Sequence, residues 1–252
     1  MRQIPLPIGL DAEPCFDNFV VGDNAATVAG LGRLPMPSAP VYLWGAAGAG
    51  KTHLLAALAR RARAEGARVG WFDAAEPLPW DFDEGWSLIV IDGAERLDPE
   101  RQHAAFALFV EAASHAVPVA AAGRLPPVDL PLRDDLRTRL GWGPVHQVLP
   151  LTEAGTRAAL RREADRRGIF LSDEVMDFLL TRFARDLGSL MALLHRLDSF
   201  SLAERRAVTV PLLRAMLSDA PQTADPRDAR GADDPDAIVP PEHHPAPVAA
   251  EV

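Results

Sequence analysis

The 252-residue chain is 48% hydrophobic and 24% charged, a composition for one large or two modest folded domains. Its net charge of −9 speaks against a general electrostatic grip on nucleic acid, and its single cysteine, Cys15, excludes an internal disulfide and makes a reducing, cytoplasmic location the expectation. No apolar run approaches the ~18 residues of a membrane helix, and Pro5 and Pro7 interrupt the N-terminus, so neither a membrane partner nor a secretory signal is expected.

The first candidate strand is Val41–Trp44, followed by a glycine-rich turn and an amphipathic helix over Lys51–Ala64. Arg68–Phe72 and Leu88–Ile91 are the next strands, the latter wholly apolar, as a strand covered on both faces should be. An alanine-rich helix is predicted from Pro99 to His115, then strands at Val117–Ala122 and Val145–Leu149. This alternation implies a parallel sheet with helices on its faces. After Leu151 the pattern turns purely helical. Thr152 caps a helix reaching Arg167, Ser172 caps one ending near Ala184, a third spans Asp186–Ala203, and a fourth follows Thr209 with Pro211 in its first turn.

Residues 219–252 hold eight acids, two arginines and seven prolines without apolar periodicity, and read as a disordered acidic tail. His243 and His244 within it read as solvated side chains. The expected organisation is an arm (1–14), an α/β domain (15–151), a small helical domain (152–218) and the tail (219–252).

Two motifs point to a nucleotide. Gly45-Ala46-Ala47-Gly48-Ala49-Gly50-Lys51-Thr52 has the spacing G-x-x-x-x-G-K-[ST] between a predicted strand and a predicted helix. Glycines let successive N–H groups turn inward on phosphate oxygens, Lys51 reaches the outer phosphates, the Thr52 hydroxyl takes a place on Mg²⁺, and the helix directs its positive end at the anion. Asp92, closing the buried run Leu88–Ile91, is the second metal-side residue. Lys51 is the only lysine among 26 basic residues, which suits a loop that takes a compact point charge and not a planar fork. Position 93, where many ring-forming ATPases place a second acid, is Gly93, and the nearest acid is Glu95. The fourth strand ends Ala121-Ala122-Gly123 where a polar sensor is usual. Binding is therefore expected to be intact, and the chain's own hydrolysis slow or absent.

Over Phe16–Leu217 the chain resembles the AAA+ module of the bacterial replication initiator DnaA. The carriers are Phe16-Asp17-Asn18-Phe19-Val20-Val21-Gly22-Asp23-Asn24, Gly50-Lys51-Thr52-His53-Leu54-Leu55, Arg137-Thr138-Arg139-Leu140-Gly141-Trp142-Gly143 and Ala184-Arg185-Asp186-Leu187. The resemblance implies that Phe19 and Val21 border the adenine pocket, that His53 belongs to the nucleotide-binding start of the helix after the phosphate loop, that Arg139 is an arginine finger acting on a neighbouring subunit, and that Arg185 is the second sensor touching the chain's own nucleotide. Gln3-Ile4-Pro5-Leu6-Pro7-Ile8 resembles the motif by which partners dock on the β sliding clamp of DNA polymerase III. Two prolines stiffen it, Leu6 and Ile8 are apolar anchors, Ile4 and Pro7 complete the extended peptide, and Gln3 bonds at the pocket rim.

A clamp motif ahead of a DnaA-like module, with no helix-turn-helix DNA-binding domain visible after it, is the layout of the Hda branch, the regulatory inactivators of DnaA. What this implies is a negative regulator of replication initiation, bound to ADP or ATP with Mg²⁺ and with ADP favoured. It would be tethered to the clamp on DNA, stimulate DnaA's ATP hydrolysis in trans, and make no sequence-specific DNA contact of its own; whether it forms a homodimer between activations is left open by the sequence. Its location would be the cytoplasm, at the nucleoid and replisome. Two alternatives stay open: a self-acting ATPase of helicase-loader or remodelling type, and an adaptor that competes for clamp or DnaA without catalysis.

Overall fold

The computed structural model describes residues 13–32, 39–183 and 186–219. The clamp-like segment Gln3–Ile8, the second-sensor candidate Arg185 and residues 220–252 lie outside them.

A 3₁₀ turn at Phe16–Asn18 leads into α1 (Ala25–Leu31), β1 (Val41–Trp44), α2 (Lys51–Ala64), β2 (Arg68–Phe72), β3 (Trp86–Ile91), α3 (Pro99–Ser114), β4 (Val119–Gly123), α4 (Asp134–Leu140), β5 (Val145–Gln147), α5 (Glu153–Arg166), α6 (Asp173–Arg182), α7 (Leu187–Glu204) and α8 (Val210–Ser218). The strands form one parallel sheet in the order β2-β3-β4-β1-β5. Alternate side chains feed two cores. Tyr42, Ile89, Ile91, Val119 and Ala121 face one way, against Leu108 and Phe109 of α3 and Leu136 and Leu140 of α4. Val41, Leu43, Leu88, Val90, Ala120 and Ala122 face the other, against Leu54, Leu55 and Leu58 of α2. Both faces being covered accounts for the continuous apolar runs, and each buried Leu or Ile contributes about 1.5–3 kcal/mol.

The predicted bounds of β1, α2 and β2 match the structure residue for residue, and three elements differ for visible reasons. β4 starts at Val119, because the Val117 N–H turns back to the Ala112 carbonyl (2.8 Å) and Pro118 has no N–H. β5 stops at Gln147, because the Leu149 peptide is captured by a side chain: its N–H donates to Asn24 Oδ1 (2.7 Å) and its carbonyl accepts from Asn24 Nδ2 (2.9 Å). β3 begins two residues early, at Trp86, which packs edge-on against Phe72.

After Leu151, α5–α8 enclose a core of their own, centred on Leu160, Met176, Leu179, Leu190, Leu194, Leu197, Leu212 and Leu213. The predicted caps are in place: Thr152, Ser172 and Thr209 accept from the N–H groups of Gly155 (3.1 Å), Val175 (3.3 Å) and Leu212 (3.4 Å). Asp186 caps α7 through the Ser189 N–H (2.8 Å).

The largest charge effect in this helical unit is at Glu163 on α5. Its carboxylate accepts from Arg166 (2.6 and 2.9 Å) and Arg167 (2.6 Å), and Arg167 also donates to His195 Nδ1 on α7 (2.7 Å). The Arg166 bonds first, then Arg167, pull the Glu163 carboxyl from 4.5 down to about 2 against the opposing effect of burial. A depressed carboxyl contributes stability that is complete above its unfolded value and lost as pH falls towards about 2. Discounting for the exposed Arg166, Glu163→Gln should lose about 2 kcal/mol at pH 7, a fall in Tm of roughly 4–8 °C. The gap between variant and wild type should close between pH 4.5 and about 2. Thermal melts across that range check it, and a gap that stays constant would show that the Glu163 charge contributes nothing.

Candidate nucleotide site

The loop of residues 45–50 leaves β1 at the carboxyl edge of the sheet, where open parallel sheets place ligands. Trp44 pairs with Gly123 across the β1–β4 ladder, and the Gly45 N–H continues to the Gly123 carbonyl (3.3 Å). Gly48 and Gly50 have φ of 75° and 101°, which side chains with a Cβ resist, and this folds the loop back over the first turn of α2.

At that turn Lys51 Nζ donates to the carbonyls of Gly45 and Ala46, both at 2.8 Å. Burial, and secondarily Arg124, hold the ammonium below its usual value, while Glu95 and Asp92 pull the other way. Thr52 Oγ1 donates to Asp92 Oδ2 (2.7 Å), and Asp92 is buried at the end of β3. Thr52 and Asp92 are read from separate motifs, and the fold brings their oxygens into contact. A hydroxyl beside a carboxylate is the hard oxygen pair that suits Mg²⁺, with phosphate oxygens and water completing its shell. These two residues fit the ion, which when bound would neutralise phosphate charge.

The N-terminal segment covers α2 from one side. Phe19 approaches Gly50 so closely that a methyl group there would lie 2.8 Å from its ring, and the Phe19 and His53 rings pack at a tilt with centroids 5.4 Å apart. His53 Nε2 meets the Cys15 carbonyl at 3.0 Å, and the Arg61 guanidinium lies over the Phe16 ring at 5.1 Å. Val21, two residues after Phe19, is exposed, and Asn24 fastens the segment to Leu149. Phe19, His53 and the phosphate loop therefore share one wall.

Sequence reading missed three contacts. Asp186, the cap of α7, sits so close to Gly48 that a side chain at that glycine would overlap it. The Glu95 carboxylate reaches the end of β4 and pairs with Arg124 (3.4 Å). The Arg139 guanidinium, on α4, lies 4.3 Å from the Trp142 ring centroid and 5.7 Å from that of Phe106, with Trp142 itself 55% exposed. Arg137 is tied to Asp134 (2.6 Å) and Arg133 to Asp135 (2.7 Å), whereas Arg139 has no carboxylate partner among the described residues.

Residues 10–78 match the family model of the bacterial DnaA ATPase domain, and residues 153–217 that of the Hda lid domain. The chain is a DnaA/Hda-related AAA+ protein. Its fold is the P-loop AAA+ parallel-sheet domain followed by a small helical lid. Domain III of Thermotoga maritima DnaA superposes with a TM-score of 0.68 at 20% identity, covering 84% of this chain and 98% of that one. AMPPCP-bound DnaA from Aquifex aeolicus gives 0.60 at 20% identity over 78% and 70% of the two chains. The Thermotoga maritima RuvB branch migration motor gives 0.58 at 15%, over 81% and 71%. These three share the fold. Among the described residues no helix is long and apolar enough to cross a membrane.

Proposed function

We propose that this protein is a negative regulator of replication initiation that binds ADP or ATP with Mg²⁺ and stimulates ATP hydrolysis by DnaA. In this reading Gly45, Gly48, Gly50, Lys51 and Thr52 hold the phosphates, Thr52 and Asp92 the ion, and Phe19, Val21 and His53 the base side. Arg185 contacts the chain's own nucleotide. Gln3, Ile4, Leu6, Pro7 and Ile8 dock on the β sliding clamp, which concentrates the protein where DnaA is to be inactivated, in the cytoplasm at the replisome.

The observation that carries the reading is the state of Arg139. It rests on the exposed Trp142 ring and the half-buried Phe106 ring while Arg137 and Arg133 nearby are ion-paired, and it stands in a chain whose lid matches the Hda type. A guanidinium parked on an indole keeps its five donors largely available for an anionic partner, and a transferring phosphoryl group is such a partner.

DnaA's ATP turnover is the test, measured with and without clamp loaded on DNA and with this protein supplied in its ADP form. Stimulation should require clamp and disappear in the Gln3→Ala/Leu6→Ala double variant. No stimulation by the wild-type protein would sink the proposal. Stimulation that ignores the double substitution would remove the clamp from it.

A further inference from the structure

We infer that Glu95 is the acid that orients the attacking water in this chain's own site, and that the chain generates its bound ADP by a slow hydrolysis of ATP. The inference rests on the reading that the loop at 45–52 holds a nucleoside triphosphate.

Backbone geometry shows how an acid three residues beyond Asp92 returns to the site. Gly93 has φ of 69°, a left-handed conformation that an acidic side chain resists, and the space a Cβ would need is taken by the Arg96 guanidinium. Beyond it the chain makes a 3₁₀ turn at Ala94–Arg96, closed by the Arg96 N–H on the Gly93 carbonyl (2.9 Å). That turn points Glu95 back across the carboxyl edge of the sheet. Its Oε2 accepts from the Arg124 N–H (3.1 Å), and Oε1 lies 3.4 Å from Arg124 Nε, so the carboxylate is gripped at two points with its side chain 16% exposed.

The carboxylate is held over Gly123, the residue that pairs with Trp44 immediately before the phosphate loop. A methyl group at position 123 would lie 3.2 Å from Glu95 Oε2 and would overlap the Tyr42 hydroxyl. The small residue at the end of β4 thus leaves room for the acid where a polar sensor would otherwise stand. The Glu95 charge is felt by Lys51, whose ammonium it favours, and by Tyr42, whose phenol burial and then Glu95 push upward. The Arg96 guanidinium fills the space beside Gly93 and the Tyr42 hydroxyl the space beside Gly123, and the acid missing from 93 lies next to the small residue at 123.

Chemically the step is ordinary. The water oxygen forms a bond to the terminal phosphorus as the bond from that phosphorus to the bridging oxygen breaks, and the electron pair leaves with the diphosphate. One water proton stays on inorganic phosphate and the other passes to solvent. Glu95 accepts a hydrogen bond from the water and fixes its line of approach, while Lys51 faces the developing charge.

The experiment is single-turnover hydrolysis of ATP with Mg²⁺ by the full chain, paired with fluorescent-ATP titration of the same preparations. Wild type should convert its bound ATP to ADP. Glu95→Gln should slow that conversion on the order of 10- to 100-fold with affinity within about twofold, since the substitution preserves shape and removes only charge. Glu95→Asp, with the charge kept but withdrawn, should fall between them. A Glu95→Gln rate equal to wild type overturns the inference, as does wild-type protein that binds ATP and leaves it intact. Wild-type protein that binds no nucleotide overturns the underlying reading as well, and the titration separates these outcomes.

Discussion

Replacing Lys51 with arginine should weaken ADP binding on the order of 100-fold, although the charge is retained. The Lys51 ammonium already donates to two loop carbonyls, at 2.8 Å each, and has a third N–H to offer a phosphate from the same point. Charge-assisted bonds of this kind contribute about 1.5–3 kcal/mol apiece. A guanidinium is longer and planar and spreads its donors over a fork, so it cannot satisfy both carbonyls from one position without pressing on the loop. Losing about 2.7 kcal/mol of interaction corresponds to the stated factor. Titration with a fluorescent ADP measures it directly. A thermal melt provides the second readout, because ADP just sufficient to saturate wild type should raise the wild-type Tm clearly more than the variant's. Affinity of Lys51→Arg within about threefold of wild type would show that the loop wants only a positive charge.

Arg139→Ala should remove stimulation of DnaA's ATP turnover, a loss of on the order of 10³-fold if the residue acts as an arginine finger. To reach a partner, Arg139 gives up only its contacts with the Trp142 and Phe106 rings. Stacking on a half-exposed indole contributes about 0.5–1 kcal/mol, less than a desolvated contact with a phosphoryl group returns. Had Arg139 been clamped by a carboxylate as Arg137 is by Asp134, the transfer would cost an ion pair first. Arg139→Lys should be nearly as inactive as the alanine variant, because it keeps charge without the fork. Trp142→Ala should lose roughly three- to tenfold, since the finger remains but is no longer held in place. The same clamp-dependent turnover assay reads all three. Arg139→Ala with full stimulation would redirect the function towards a non-catalytic adaptor.

How far the fold could be read in advance depends on the range of the forces involved. β1, α2 and β2 were legible to the residue because apolar patterning and the glycine loop are local signals. The two short helices were missed for a shared reason: neither has a side-chain cap. Asn24 precedes α1 in the capping position, but its amide is spent on Leu149, and Arg133 precedes α4 with no capping bond. The insertion of β1 between β4 and β5 and the Thr52–Asp92 contact depend on pairing between segments 40 or more residues apart, which no local pattern encodes. Glu95 was noticed as the nearest acid, yet its return to the site depends on one left-handed glycine and one tight turn. Arg139 was placed by resemblance alone; its aromatic rest could not be read, because Phe106 lies on a different helix.

The contact between Gly48 and Asp186 ties two motions together. No gap of even a methyl's width separates the phosphate loop from the cap of α7, and α7 is the central strut of the lid core through Leu190, Leu194 and Leu197. Any outward swelling of the loop at Gly48 would therefore press on that cap and on the first turn of the 18-residue helix. The space beside Gly48 thus belongs jointly to the phosphate loop and to the lid.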